Sequence, residues 1–171
     1  KVAMRTAERL FASYCSTCHG SDARGAVGFP NLRDGIWSWG GDPKQIKSTI
    51  LDGRIGIMPG WATPLGGTQG VDDVTEYVLS LSGQEVNADQ LLSGQEKFQT
   101  FCIGCHGDDG TGNPAVGAPN LTDMTWLYGG SRESIHRSIA VGRRGQMPGH
   151  QSFLGEHKVH LLAAYIVSLN P

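Results

Sequence analysis

The sequence predicts an all-α fold built twice in tandem, each copy about three helices joined by glycine-rich loops. Three observations predict it. The chain of 171 residues repeats itself over most of its length. Its apolar residues fall on 3.6-period stripes. Its 25 glycines and 8 prolines exceed what an ordinary domain of this size carries, and without a collagen-like period they signal many tight turns.

The repeat is read residue by residue. Cys15, Cys18, His19 and Gly20 recur 87 positions later as Cys102, Cys105, His106 and Gly107. After a two-residue insertion, Pro30-Asn31-Leu32, Trp37, Gly40-Gly41, Ile46, Ile50, Gly53-Arg54 and Met58-Pro59-Gly60 recur 89 positions later, ending at Met147-Pro148-Gly149. Tyr77 and Ser80-Leu81 recur as Tyr165 and Ser168-Leu169. Two domains follow, residues 1–83 and 84–171, with the polar run 82–87 as the linker.

In each copy a first helix, 3–15 or 89–102, carries a small residue (Ala7 or Gly94) four positions before an aromatic one (Phe11 or Phe98), so the two share a helical face. A second helix opens at Asp42-Pro43, a cap followed by proline at the first helical position, or at Ser131; Gly53 and Gly142 end it. The third, about 71–81 or 156–169, has the stripe Val71, Val74, Tyr77, Val78, Leu81 or Val159, Leu162, Ala163, Ile166, Leu169.

Composition excludes several classes. A chain with 39% hydrophobic and 18% charged residues buries a core and is not a disordered tail. A formal net charge of -2 with no basic stripe argues against nucleic acid. No stretch approaches the ~18 consecutive apolar residues of a membrane span, and the sequence reads as soluble. Lys1 is preceded by no initiator Met or leader, as expected of a mature exported product or a piece of something larger.

The four cysteines fall as Cys15-Ser-Thr-Cys18-His19 and Cys102-Ile-Gly-Cys105-His106. Disulfides, a thioredoxin-like pair and zinc thiolates are the competing readings. The C-x-x-C-H spacing, used twice with no cysteine left over, is that of c-type haem attachment. Two intervening residues let the thiols reach two vinyl groups on one porphyrin edge, and the next residue brings an imidazole to the iron. Two haems c are expected, bonded to Cys15, Cys18, Cys102 and Cys105, with His19 and His106 as iron ligands.

The repeat also selects the opposite ligands. Met58 and Met147 stand at equivalent positions, 39 and 41 residues after their histidines, each before Pro-Gly. Met4, Met124 and His136 align with Leu91, Gly35 and Lys47 and fail this symmetry. His150, three residues after Met147 and aligned with Trp61, is the one alternative ligand; His136, His157 and His160 are expected on the surface. Arg54 and Arg143 suit either a haem propionate or a solvated loop, and Trp39 and Tyr128 either a propionate or packing on the haem edge. Methionine sulfur favours ferrous iron, and two filled axial positions leave no vacancy for substrate, which describes an electron relay with no catalytic residues.

The pattern resembles class I cytochromes c, where a proline after the histidine accepts the imidazole hydrogen bond through its carbonyl; Pro30 and Pro119 match it. The strings CHGSDARGAVGFPNL, WSWGG, MPGW, CHGDDGTGNPAVGAPNL, WLYGGS, GRRGQMPGH and KVHLLAAYIVSL resemble more closely the dihaem subunit of cbb-type haem-copper cytochrome c oxidases. That resemblance implies a membrane anchor upstream of Lys1, two periplasmic cytochrome c domains, and His/Met ligation by His19, Met58, His106 and Met147. It implies electrons arriving from a donor cytochrome c and leaving to the other oxidase subunits. The remaining readings are a freely diffusing dihaem carrier and a dihaem enzyme such as a peroxidase or thiosulfate dehydrogenase.

Overall fold

In the computed structural model, which describes residues 2–170, the helices stand where stripes and caps put them. In chain order the elements are α1 (Val2–Tyr14), α2 (Ser16–His19), α3 (Pro43–Asp52), β1 (Gly53–Pro59), α4 (Thr68–Leu81), α5 (Ala88–Phe101), α6 (Ile103–His106), α7 (Arg132–Val141), β2 (Gly142–Pro148) and α8 (Gln151–Ser168). Asp42 caps α3 by accepting the amides of Lys44 and Gln45 at 2.9 and 3.1 Å, and Ser131 caps α7 through the amide of Ser134. Gly155, at φ +72°, breaks α8, so its regular part begins at 156 as the stripe predicts.

Two features depart from the expectation. The haem motifs are themselves helical turns, α2 and α6, and each Gly-Arg-x-Gly-x-Met-Pro segment is extended, so that β1 and β2 form a two-stranded sheet. The fold is therefore helix-rich with a small sheet and not wholly α. Gly53 (φ +75°) and Gly142 (φ +83°) are where it starts, and neither position accepts a side chain: a Cβ there would lie 2.3 Å from the Met147 or Met58 carbonyl oxygen.

The chain forms two compact units, divided otherwise than at 83/84. One contains the chain up to Ile55 together with everything from Gly145 onward; the other is Gly56–Arg144. The tandem order describes the sequence, whereas each packed unit takes its last helix from the other copy. The chain passes from one unit to the other within β1 and again within β2.

In the first unit, α1, α3 and α8 enclose Phe11, Ile46, Ile50, Leu154, Val159, Leu162 and Ile166. In the second, α4, α5 and α7 enclose Val71, Val74, Val78, Phe98, Ile135 and Ile139. Each such side chain contributes about 1.5–3 kcal/mol by leaving water. The small-then-aromatic pair of the first helix makes the crossing in both. Phe11 meets Tyr165 at 5.6 Å between centroids and Phe98 meets Tyr77 at 5.2 Å, each tilted by 55°.

The second unit differs in its buried charge: α4 brings a carboxylate into its contact with α5. Asp73 is buried and accepts hydrogen bonds from Gln69 (2.9 Å), Gln90 (3.1 Å), Ser93 (2.7 Å) and Lys97 (3.0 Å). Burial alone would raise its pKa, yet these four bonds together hold it well below the usual carboxylate range. Glu76, also buried, pairs with Arg132 and accepts the amide of Asn87 at 2.7 Å.

Candidate haem-binding sites

Each site is built on one helical turn. The His19 amide donates to the Cys15 carbonyl at 2.9 Å and that of His106 to Cys102 at 3.0 Å, so both sulfurs and the imidazole are carried on one turn after the first helix. None of the four cysteines is disulfide-bonded; Cys15 and Cys102 are half-buried, Cys18 and Cys105 exposed. Burial, aided by the neighbouring thiol, pushes Cys15 and Cys102 up to about 11, so in the unloaded chain both are protonated at neutral pH.

The histidines are buried, and each ring is held at Nδ1. His19 Nδ1 donates to the Pro30 carbonyl at 3.1 Å and His106 Nδ1 to the Pro119 carbonyl at 3.2 Å. This bond fixes the tautomer and leaves Nε2 with its lone pair available to a metal. Burial lowers the pKa of both rings, outweighing the carbonyl bond, which acts the other way. The loops that deliver the prolines depend on glycine. Gly25 and Gly112 donate to the His19 and His106 carbonyls at 2.8 Å, and a Cβ on Gly25 would come within 2.2 Å of the Phe29 oxygen.

The methionines divide between the units. Met147 packs on the same apolar cluster as Cys15, and Met58 on the same cluster as Cys102. The structure thus groups Cys15, Cys18, His19 and Met147, and separately Cys102, Cys105, His106 and Met58. Met124 is exposed, as its failed symmetry predicts, and so are His157 and His160. His136 lies 3.2 Å from Asp72. Arg54 lies over the Trp39 ring at 5.1 Å and Arg143 over Tyr128 at 4.6 Å, so these residues pack on each other.

His150, the alternative ligand of the sequence analysis, lies in the first unit. Its ring is buried against Phe153, it contributes to lowering the His19 pKa, and its Nδ1 has no hydrogen-bond partner among the described residues; the same holds of the buried Trp126 Nε1 in the second unit. Haem fits these surroundings: its propionates are acceptors for orphaned ring nitrogens, and an imidazole with free Nε2 and a thioether are donors suited to its iron.

These features are those of a c-type cytochrome. Comparison with known proteins places the chain further. Residues 2–78 and 89–166 each match the family model described as cytochrome c oxidase, cbb3-type, subunit III, and the chain belongs to that family. It is 48% identical over 168 residues to the cbb3-type cytochrome c oxidase subunit CcoP of Rubrivivax gelatinosus, covering 98% of this chain and 55% of that protein. It is 41% identical to CcoP of Cereibacter sphaeroides (94% and 59% covered) and 38% identical to the subunit FixP of a Bradyrhizobium species (98% and 61%). The chain therefore spans between half and two thirds of the length of these relatives. Among the described residues, no helix is long and apolar enough to cross a membrane.

Proposed function

We propose that this chain is the haem-carrying portion of a cbb3-type oxidase subunit III, on the periplasmic side of the membrane, relaying electrons from a donor cytochrome c to the other oxidase subunits. The observation that carries this reading is the twofold constellation of a C-x-x-C turn and a buried imidazole tied at Nδ1 to a proline carbonyl, with a methionine on the same core. Haem c supplies a one-electron iron couple at each site.

The protein's own residues do the rest. Cys15, Cys18, Cys102 and Cys105 would hold the porphyrins as thioethers, while His19, His106, Met58 and Met147 would bind the irons. The proline carbonyls make the imidazoles better donors, and the methionine sulfurs favour ferrous iron, so the potentials lie high. An iron held by both a histidine and a methionine would have no position open to substrate, which suits a relay whose bond chemistry is done elsewhere in the complex. A chain of net charge -2, made more acidic by propionates, is suited to a donor with a basic face.

An anaerobic titration of the loaded chain tests the reading. Two electrons are taken up per chain, and the ferrous form does not bind carbon monoxide at equilibrium. Uptake of one electron, or stoichiometric carbon monoxide binding at either haem, would overturn it.

A further inference from the structure

We infer that each haem is ligated across the sequence repeat: Met147 is the axial partner of His19, and Met58 that of His106, so neither half of the sequence completes a site alone. The inference deepens the His/Met reading above and rests on it. Three independent observations lead to it.

The first is connectivity at the ligand. The amide of His150, just after Met147-Pro148-Gly149, donates to the Ile50 carbonyl of α3 at 2.9 Å, and the amide of Trp61, at the matching place after Met58, donates to the Ile139 carbonyl of α7 at 2.8 Å. Each methionine turn is thereby stitched to the second helix of the other copy. The ring of Trp61 also lies 5.9 Å from that of Phe101, the residue before Cys102.

The second is side-chain complementarity between first and third helices. Asp73 on α4 finds its partners Gln90, Ser93 and Lys97 on α5. At the equivalent positions α1 carries Ala3, Thr6 and Leu10, and at the position of Asp73 α8 carries Leu161. The polar third helix thus sits on the polar first helix, and the apolar on the apolar. Pairing α4 with α1 would leave a buried carboxylate without its cation and three of its donors without their acceptor. Glu76 repeats the argument: it pairs with Arg132, and Arg132 corresponds in the repeat to Pro43, which offers no charge.

The third is the backbone before each methionine. Gly53 is shaped to the Met147-Pro148-Gly149 backbone and Gly142 to Met58-Pro59-Gly60, each within the unit its methionine occupies.

Single-haem forms of the full chain test the pairing. With Cys102→Ala and Cys105→Ala, and with one haem per chain verified, the His19 haem is read through its far-red methionine-to-ferric-iron charge-transfer band. Met147→Ala abolishes that band and Met58→Ala keeps it. The opposite pattern overturns the crossed pairing and leaves His/Met ligation standing; a band absent before either methionine is changed overturns His/Met ligation itself. A second measurement avoids altering the haem sites. When a protease site inserted after Gly83 is cut in the dihaem chain, the two pieces co-elute natively and part only in denaturant. Separation into two folded monohaem halves without denaturant contradicts the proposal.

Discussion

Replacing Lys97 by leucine removes, among the described residues, the only cation bonded to the buried carboxylate of Asp73. Asp73 has 8% of its side chain exposed and Lys97 28%, and their contact is 3.0 Å. A charge-assisted bond of this kind is worth about 1.5–3 kcal/mol, and stripping one partner from a buried pair costs up to about 3–5 kcal/mol. Three neutral donors remain and Lys97 is partly in water, so we expect a loss of about 2–3 kcal/mol for the second unit. The first unit already holds the apolar alternative, Leu10 and Leu161 at the same positions. Lys97→Leu combined with Asp73→Leu should therefore recover most of the loss, giving a coupling of about 2 kcal/mol in a double-mutant cycle. Urea unfolding at neutral pH, followed by circular dichroism and haem absorption, measures each variant. Because Asp73 is held below the ordinary carboxylate range, its contribution is complete above the unfolded-state value of about 4 and fades as pH falls through the folded-state value. The gap between the parent protein and Lys97→Leu should close on acidification. A single substitution costing less than about 0.5 kcal/mol, or additive single and double variants, would refute the argument.

Other substitutions probe the remaining links. Gly142→Ala places a Cβ 2.3 Å from the Met58 oxygen at φ +83° and should cost about 2–4 kcal/mol, with weakening of one methionine charge-transfer band; an unchanged melting temperature would contradict it. Phe98→Ala empties a site only 1% exposed at the α4/α5 crossing and should cost about 3–5 kcal/mol in urea unfolding. Asp42→Ala removes two capping bonds from α3 and should cost about 1 kcal/mol in the same assay, leaving both haem spectra unaltered.

Much of the fold was legible because its signals are local. Asp42, Ser131, Gly53 and Gly142 mark the ends of α3 and α7, and the stripes from Val71 and Val159 mark the last helices. C-x-x-C-H singled out His19 and His106, and the hydrogen bonds to the Pro30 and Pro119 carbonyls that the resemblance implied are present. The exchange of third helices was not read, for a physical reason: a repeat says which residues are equivalent, and equivalent surfaces can pair in either order. What breaks the degeneracy is where the copies differ. Asp73 against Leu161 and Lys97 against Leu10 were in the sequence throughout, but their meaning appears only once the two helices are known to touch. The burial of His150, weighed in the sequence only as the alternative ligand, depends on its packing against Phe153 and so needs the fold to be seen.

Near-infrared magnetic circular dichroism of the fully ferric dihaem chain tests the central claim most directly, because it counts methionine-ligated low-spin irons. The account predicts a methionine-to-iron transition with the intensity of two haems and no high-spin signal. Intensity for one haem, accompanied by a high-spin or bis-histidine signal from the other, would contradict it.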